Sequence, residues 1–277
     1  MLEDKTSIVQ SASDPFGLGH IDFSIRVPEK SEMFDATEAK LYIDGCDYPE
    51  SADDLLLALE IQSLFGYNGI RSMSILDTMC GPGRLGRELL TLGADQVVFH
   101  DGHQTMLENA KEKASHVTHP RQKIATVLSP VENITLPDNS FDLVVCHNST
   151  HQLSNLEKLR IAMKEFLRVA TPGGHIVIAD YQRATSPDYL RALEERLQYT
   201  KPEIVPLLIP TFKAAFSKDE FADILLSMPG IKSWTVTDAQ APNGLSLDMI
   251  NAVNADPIKG HFMDYSSISL RAVVEKR

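Results

Sequence analysis

The chain has 277 residues, with 38 Asp and Glu against 26 Lys and Arg, a formal net charge of −12. That length allows one large domain or two small ones and a full core without disulfide staples. The acidic balance argues against a nucleic-acid binder, which needs a basic face. Cys46, Cys80 and Cys146 are widely spaced and odd in number. They fit reduced thiols in a cytoplasmic protein better than a disulfide framework or a metal site. No basic start followed by an apolar stretch opens the chain, and no run approaches the roughly 20 apolar residues of a membrane span.

Residues 1–50 are weakly patterned and punctuated by Pro15, Gly17, Gly19, Pro28, Gly45 and Pro49. They are expected to form an arm that packs over the rest, residues 51–277. A helix is expected from Ser51, where Ser51 and Asp54 resemble a capping box and Leu55, Leu56, Leu59 and Leu64 give the apolar stripe.

Beyond it, the pattern alternates. Ser74–Leu76 leads into a Gly-rich turn at Cys80–Gly83 and a helical run, Leu85–Leu92. Val97–Phe99 is a short strand, followed by a helix with Met106, Leu107 and Ala110 on one face. Ile124–Leu128 and Phe141–Cys146 read as strands, the second apolar but for Asp142 and so covered on both faces. Ser154 to Glu157 reads as a capping box opening a helix to Ala170; Thr171–Gly174 stops it, and His175–Ala179 is the next strand. This alternation predicts βαβ units and a doubly wound, Rossmann-like, mostly parallel α/β sheet with helices on both faces. The later chain is looser. A helix is expected within 186–199, a Pro-rich apolar segment covers 201–216, and Ser217–Glu220 caps a helix to about Met228. Trp234–Thr237 and Ile268–Val274 alternate like antiparallel strands. Segments near 185–230 and 238–265 are expected to form a cap over a pocket.

The most informative stretch runs from Ile75 to Gly86, ILDTMCGPGRLG. In a doubly wound sheet, ligands bind where strands end and helices begin. Gly81 and Gly83 allow close backbone approach, the helix start offers free N–H groups, and Asp77 puts a carboxylate at the strand end. Asp101, ending the next strand, is placed to take both ribose hydroxyls of a nucleoside. A Gly-rich turn with one acidic residue also suits NAD. However, the dinucleotide fingerprint carries no Asp inside the turn, and the Asp77 carboxylate suits a cationic amino group better than a pyrophosphate.

The chain resembles the class I S-adenosylmethionine-dependent methyltransferases. Ile75–Gly83 is similar to their first motif, and Asp101 followed by Leu107 to their second. Leu136–Asp142 and Leu167–Gly174 are similar to two later stretches, so the resemblance covers about residues 70–182. It implies S-adenosylmethionine as cofactor and a seven-stranded sheet. It implies that Asp77 and the backbone near Met79 and Gly81 hold the methionine part, and that Asp101 holds the ribose. Gly102 and Met106 then lie beside the adenine, Val131 and Glu132 flank it, and Cys146 and His147 line the methionine side. Met79 stands where the family carries its first motif glycine, and Pro130 where many relatives carry an adenine-binding Asp.

Methyl transfer needs reactants held in line, and a base only if the acceptor must lose a proton. His147 and His151, after the fourth strand, are the candidate catalytic residues, each read more readily as packing or ligand lining than as a base. His100 and His103 flank Asp101 without an expected catalytic role, His116, His119 and His175 read as surface or strand residues, and no metal site is expected. Tyr42 and Tyr48 are candidates for covering the ligand. Apolar residues such as Leu207, Leu208, Phe212, Phe216 and Phe262 suggest a small, partly apolar acceptor in an enclosed pocket. Neither a nucleic acid nor a membrane partner is expected, and the sequence sets no oligomeric state. The alternatives are cleavage or cyclisation of S-adenosylmethionine on the same fold, or a non-catalytic binding subunit.

Overall fold

The computed structural model describes residues 52–183, 205–238 and 267–275, the arm segment 21–29, and the single positions 16, 18, 43, 185, 190, 193 and 194. Expectations for Cys46, Tyr42, Tyr48, Phe262 and the 239–266 segment lie outside the described residues, as does most of the helix expected within 186–199.

Helix α1 spans Ala52–Phe65 and α2 Tyr67–Arg71. They lead to strand β1, Ser74–Thr78, and helix α3, Arg84–Thr91. Then come β2 (Gln96–Asp101), α4 (Gln104–Val117), β3 (Lys123–Leu128), β4 (Phe141–His147), α5 (Leu156–Val169) and β5 (Ala170–Tyr181). The described chain closes with α6 (Val205–Ala214), α7 (Lys218–Leu226), β6 (Ile231–Asp238) and β7 (Ser267–Val274).

The seven strands lie in the order β3-β2-β1-β4-β5-β7-β6. β1 to β5 pair in parallel, and β7 runs antiparallel to both β5 and β6. The chain winds outward from β1 to β3, then crosses back to β4. That reversal opens a crevice at the carboxyl ends of β1 and β4, where ligands bind in such sheets.

Alternation along each strand builds two cores. Leu76, Val144, Cys146, Ile176 and Ile178 face α5 and α7, meeting Leu159, Met163, Phe166 and Phe221. Ile75, Val97, Phe99, Leu143 and Val145 face the other side, against Leu57 and Ile61 of α1, Leu85 and Leu89 of α3, and Ala110 of α4. Each fully buried Leu, Ile or Phe contributes roughly 1.5–3 kcal/mol. The apolar run of β4 is the expected signature of a strand covered on both faces, and Leu143 to Cys146 are all buried.

Three local expectations change. The apolar stripe of α1 is only partly the one the leucines suggest: Leu56 is buried, but Leu55 and Leu64 are exposed, and the buried face also carries Leu57, Ala58 and Ile61. The helix is apolar nearly all round, so periodicity alone could not choose its face. Helix α5 starts one residue later than the motif suggests. Asn155 is its N-cap, accepting from the Lys158 amide, while Glu157 pairs with Arg160. β5 begins at Ala170, so Thr171–Gly174 is not a break before the strand but an irregularity within its pairing to β4. The capping box of α7 is present as expected, with Ser217 and Glu220 each accepting the other's backbone N–H.

The arm segment packs over α6. Val27 N–H donates to the Lys213 carbonyl, Thr211 Oγ1 to Glu29, and Leu18 and Phe23 join Leu193 and Phe212 in a small cluster. Ile43 packs on Met106. No helix among the described residues is long and apolar enough to cross a membrane.

Candidate functional site

The turn after β1 departs from helix or strand geometry at three places. Met79, Gly81 and Gly83 have φ of 51°, 51° and 72°, in the left-handed region. Met79, at the position of the motif glycine, therefore holds a left-handed conformation that disfavours side chains. Its carbonyl accepts from Ser149 Oγ at 2.8 Å, tying the turn to the loop after β4. Cys80 N–H donates to the His100 carbonyl at 3.0 Å, tying it to β2.

The two glycines serve different ends. A Cβ at Gly81 would meet nothing within 4 Å, so this backbone borders open space. A Cβ at Gly83 would lie 2.6 Å from Ala110 Cβ and 2.9 Å from Phe99. The missing side chain at Gly83 thus serves packing of the turn on α4 and β2. Gly86 is tighter still, 2.3 Å from Phe99 and 2.8 Å from Asp77 Oδ2. Only glycine there lets its amide reach that carboxylate, at 2.9 Å. Gly102 is open, with only the Ser129 carbonyl at 4.0 Å.

Asp77 is buried at the end of β1. Burial, reinforced by the Asp54 carboxylate and only partly offset by the Gly86 amide and His147, pushes its carboxyl up to about 7. A carboxylate in that state is short of positive charge, so a cation beside it is favoured. Asp101 accepts from Gly81 N–H and His103 N–H, both at 2.8 Å. Burial raises its pKa against those bonds. Each oxygen retains lone-pair capacity for a further donor.

On the adenine side of the expected site, Met106 and Val131 are buried, while Pro130 is exposed. Glu132 does not point its charge at an open site: Oε1 accepts from Lys158 Nζ at 2.6 Å. Burial alone would raise its pKa, but Lys158 brings it below the usual value.

Beyond β4 the two candidate histidines each meet a carboxylate. His147 Nδ1 lies 2.7 Å from Asp54 Oδ1, and Asp54 Oδ2 lies 3.1 Å from Arg84 Nε. His151 Nδ1 lies 2.7 Å from Asp180 Oδ1. Asp180 also accepts from the His151 N–H at 3.0 Å and from Thr150 Oγ1. By contrast His100 is a structural residue. It bridges Thr78 Oγ1 at 2.9 Å and Ser129 Oγ at 3.1 Å, and burial brings its pKa down to about 4.

The structure therefore brings Asp77, Met79, Gly81, Asp101, Gly102, His147 and His151 to one edge of the sheet, and adds Asp54, Arg84, Asp180 and Arg26. Asp180 was detectable in the sequence by the same rule as Asp77 and Asp101, an acidic residue closing a core strand. Asp54 and Arg26 carry no local signal for the site, because the partners of Asp54, Arg84 and His147, lie 30 and 93 residues away and those of Arg26 more than 100.

Residues 75–174 match the family model described as a methyltransferase domain. A 2-phytyl-1,4-naphtoquinone methyltransferase of Nostoc punctiforme is 33% identical over 134 residues, 48% of this chain and 55% of its own length. A demethylmenaquinone methyltransferase of Desulfitobacterium hafniense is 31% identical over 119 residues, 42% and 46% respectively. The chain thus spans about half the length of these curated relatives. Among solved structures, the plantazolicin methyltransferase BamL, in complex with a triazolic desmethylPZN analog and SAH, superposes with a TM-score of 0.65 at 15% identity. The match covers 87% of this chain and 91% of that one. A SAM-dependent methyltransferase from Aquifex aeolicus gives 0.56 at 18%, covering 87% and all of that chain. The strand order and these matches agree: residues 75–174 are similar to methyltransferase domains, on the doubly wound fold that the solved structures share.

Proposed function

We propose that the chain binds S-adenosylmethionine at the β1 and β2 carboxyl ends and transfers its methyl group to a small, partly apolar acceptor. The observation that carries this reading is the pairing of a buried, charge-starved Asp77 with the open backbone at Gly81. A cationic ligand with a nucleoside fits both. Asp77 and the Met79–Gly81 backbone would hold the methionine part, and Asp101 the ribose. Gly102 and Met106 would lie at the adenine, with Val131 beside it. Glu132, committed to Lys158, would contribute through its backbone. His147 would line the methionine side, with His151 deeper toward the acceptor.

When bound, S-adenosylmethionine supplies a methyl carbon already activated by its sulfonium. The protein's task is to align the acceptor with it and exclude water. The arm, through Leu18 and Phe23 over Phe212, covers that side with apolar surface and supports an enclosed acceptor pocket. The matched relatives are named for naphthoquinone and menaquinone substrates, which supports a quinone-like ring as acceptor class. Their methyltransferase names also favour methyl transfer over cleavage or cyclisation of the cofactor.

The test is product analysis after incubation with S-adenosylmethionine and reduced naphthoquinones. S-adenosylhomocysteine with a methylated acceptor supports the reading; methylthioadenosine, or binding without turnover across the acceptors, contradicts it.

A further inference from the structure

His151 is gripped from two sides. Asp180 takes its ring at Nδ1 and its backbone amide, and the same carboxylate accepts from Thr150 and from the Tyr181 N–H at 2.7 Å. Arg26 takes its carbonyl. One guanidinium donates to the carbonyls of His151, Leu153, Ser154 and Ala214, and it stacks on Phe216 with its carbon 3.8 Å from the ring centroid. The arm, the loop after β4 and the end of α6 are therefore joined through one side chain.

The ring edge left over is Nε2: the His151 hydrogen bonds among the described residues are those at Nδ1, the backbone amide and the carbonyl. Tyr181 lies beside the imidazole at 5.5 Å between centroids, and Phe212 stands behind Tyr181 at 4.9 Å. A histidine with Nδ1–H on a buried carboxylate, Nε2 left over and an aromatic wall alongside has the arrangement of a general base for an aromatic acceptor. His147 is differently placed. Its carboxylate partner is shared with Arg84 and lies beside Asp77, so it belongs to the cofactor's charge balance.

We propose that Asp180 and Arg26 are positioning residues that hold His151 as the base for an acceptor carrying an aromatic hydroxyl. This rests on the methyltransferase reading above. The proton passes from the acceptor hydroxyl to His151 Nε2 as the oxygen bonds the methyl carbon. The carbon–sulfur bond breaks, with its electron pair remaining on sulfur, and the imidazolium is held by the Asp180 carboxylate. The charged groups around His151 are Asp180, Glu29 and Arg26, with Arg183 and Glu220 next to Arg26. Burial alone would lower the His151 pKa, but Asp180 outweighs it and leaves the value above 6.5.

Two measurements on the full chain test this. The first follows the His151 ring by NMR titration without cofactor, in wild type and in Asp180→Asn. The midpoint should lie above 6.5 in wild type and fall by at least a unit in the variant. An unchanged midpoint overturns the dyad. The second measures S-adenosylhomocysteine and methyl ether formation from anaerobic 1,4-dihydroxynaphthalene between pH 5 and 9. Wild-type turnover should rise with pH through the His151 midpoint. Asp180→Asn should move that limb downward and cut kcat by about 10²-fold while the KM for S-adenosylmethionine holds. Should that variant fail to fold, His151→Gln serves instead; it should lower kcat by about 10²–10⁴-fold and abolish the limb. Arg26→Lys, which keeps the charge but cannot reach four carbonyls, should lower kcat at least tenfold with the His151 midpoint nearly unmoved. A limb that ignores these changes, or Arg26→Lys turning over like wild type, overturns the positioning roles. Calorimetric binding of S-adenosylmethionine with no turnover of this phenol overturns the acceptor class alone. Absence of binding would overturn the methyltransferase reading beneath it.

Discussion

Asp101 Oδ2 accepts the Gly81 amide at 2.8 Å, so the residue proposed to hold the ribose also holds the turn proposed to cradle the methionine part. Its other oxygen fixes His103 at the start of α4. Binding and local structure are therefore coupled through one side chain. Asp101→Ala should lower cofactor affinity at least tenfold. It should also cost about 1.5–3 kcal/mol of stability, the scale of a hydrogen bond to a charged group. Asp101→Asn, which keeps one acceptor oxygen, should lose less stability. Calorimetry and urea denaturation on both variants check this; equal stability in all three proteins would contradict the coupling.

Gly83→Val should damage the fold before it damages binding. Its Cβ would sit 2.6 Å from Ala110 Cβ, at a φ of 72°. Overpacking adds about 1–3 kcal/mol, and the left-handed backbone about 1–2 kcal/mol more. Thermal unfolding should show a clear drop in Tm.

Cofactor affinity should rise with pH through about 7, where Asp77 ionises in the free protein. A cation prefers the carboxylate, so below that point binding must expel a proton and weakens by up to tenfold per pH unit. Asp77→Asn should bind weakly with no such slope. For stability the sign is opposite. The folded pKa lies above the unfolded one, so this group's contribution is full in acid and is lost as pH rises through about 7.

His100 should make the fold acid-sensitive. Its folded pKa, near 4, lies below the unfolded value near 6.5, so the unfolded chain binds more protons between them. Stability should fall as pH drops through that window, by about 3 kcal/mol at most. Asp77 opposes this trend, so the comparison is with His100→Gln, which should lack the His100 component. Identical pH dependence in both proteins would show that His100 is not held neutral.

Much of the fold was legible because short apolar runs and helical stripes alternate from Ser74 to Ala179, and a parallel sheet leaves few other solutions. The candidate site was legible where chemistry is local: Asp77, Gly81 and Asp101 sit at strand ends beside glycines. What was not legible was the packing that Gly83 allows on Ala110 and Phe99, and part of the buried face of α1, where Leu56 is buried but Leu55 and Leu64 are exposed. Contacts closed over long sequence distances left no trace. Arg26 reads as an ordinary charged residue until four carbonyls converge on it, and Asp54 as a cap until His147 and Arg84 reach it.

The central claim is that the open backbone at Gly81 is where S-adenosylmethionine lies. Gly81→Asn tests it most directly, because Asn tolerates a φ of 51° and nothing within 4 Å obstructs its Cβ. Calorimetric titration of S-adenosylmethionine should show saturable binding to wild type and at least a tenfold loss in Gly81→Asn, with Tm nearly unchanged. Equal affinity in the two proteins, or no binding to wild type, would contradict the account.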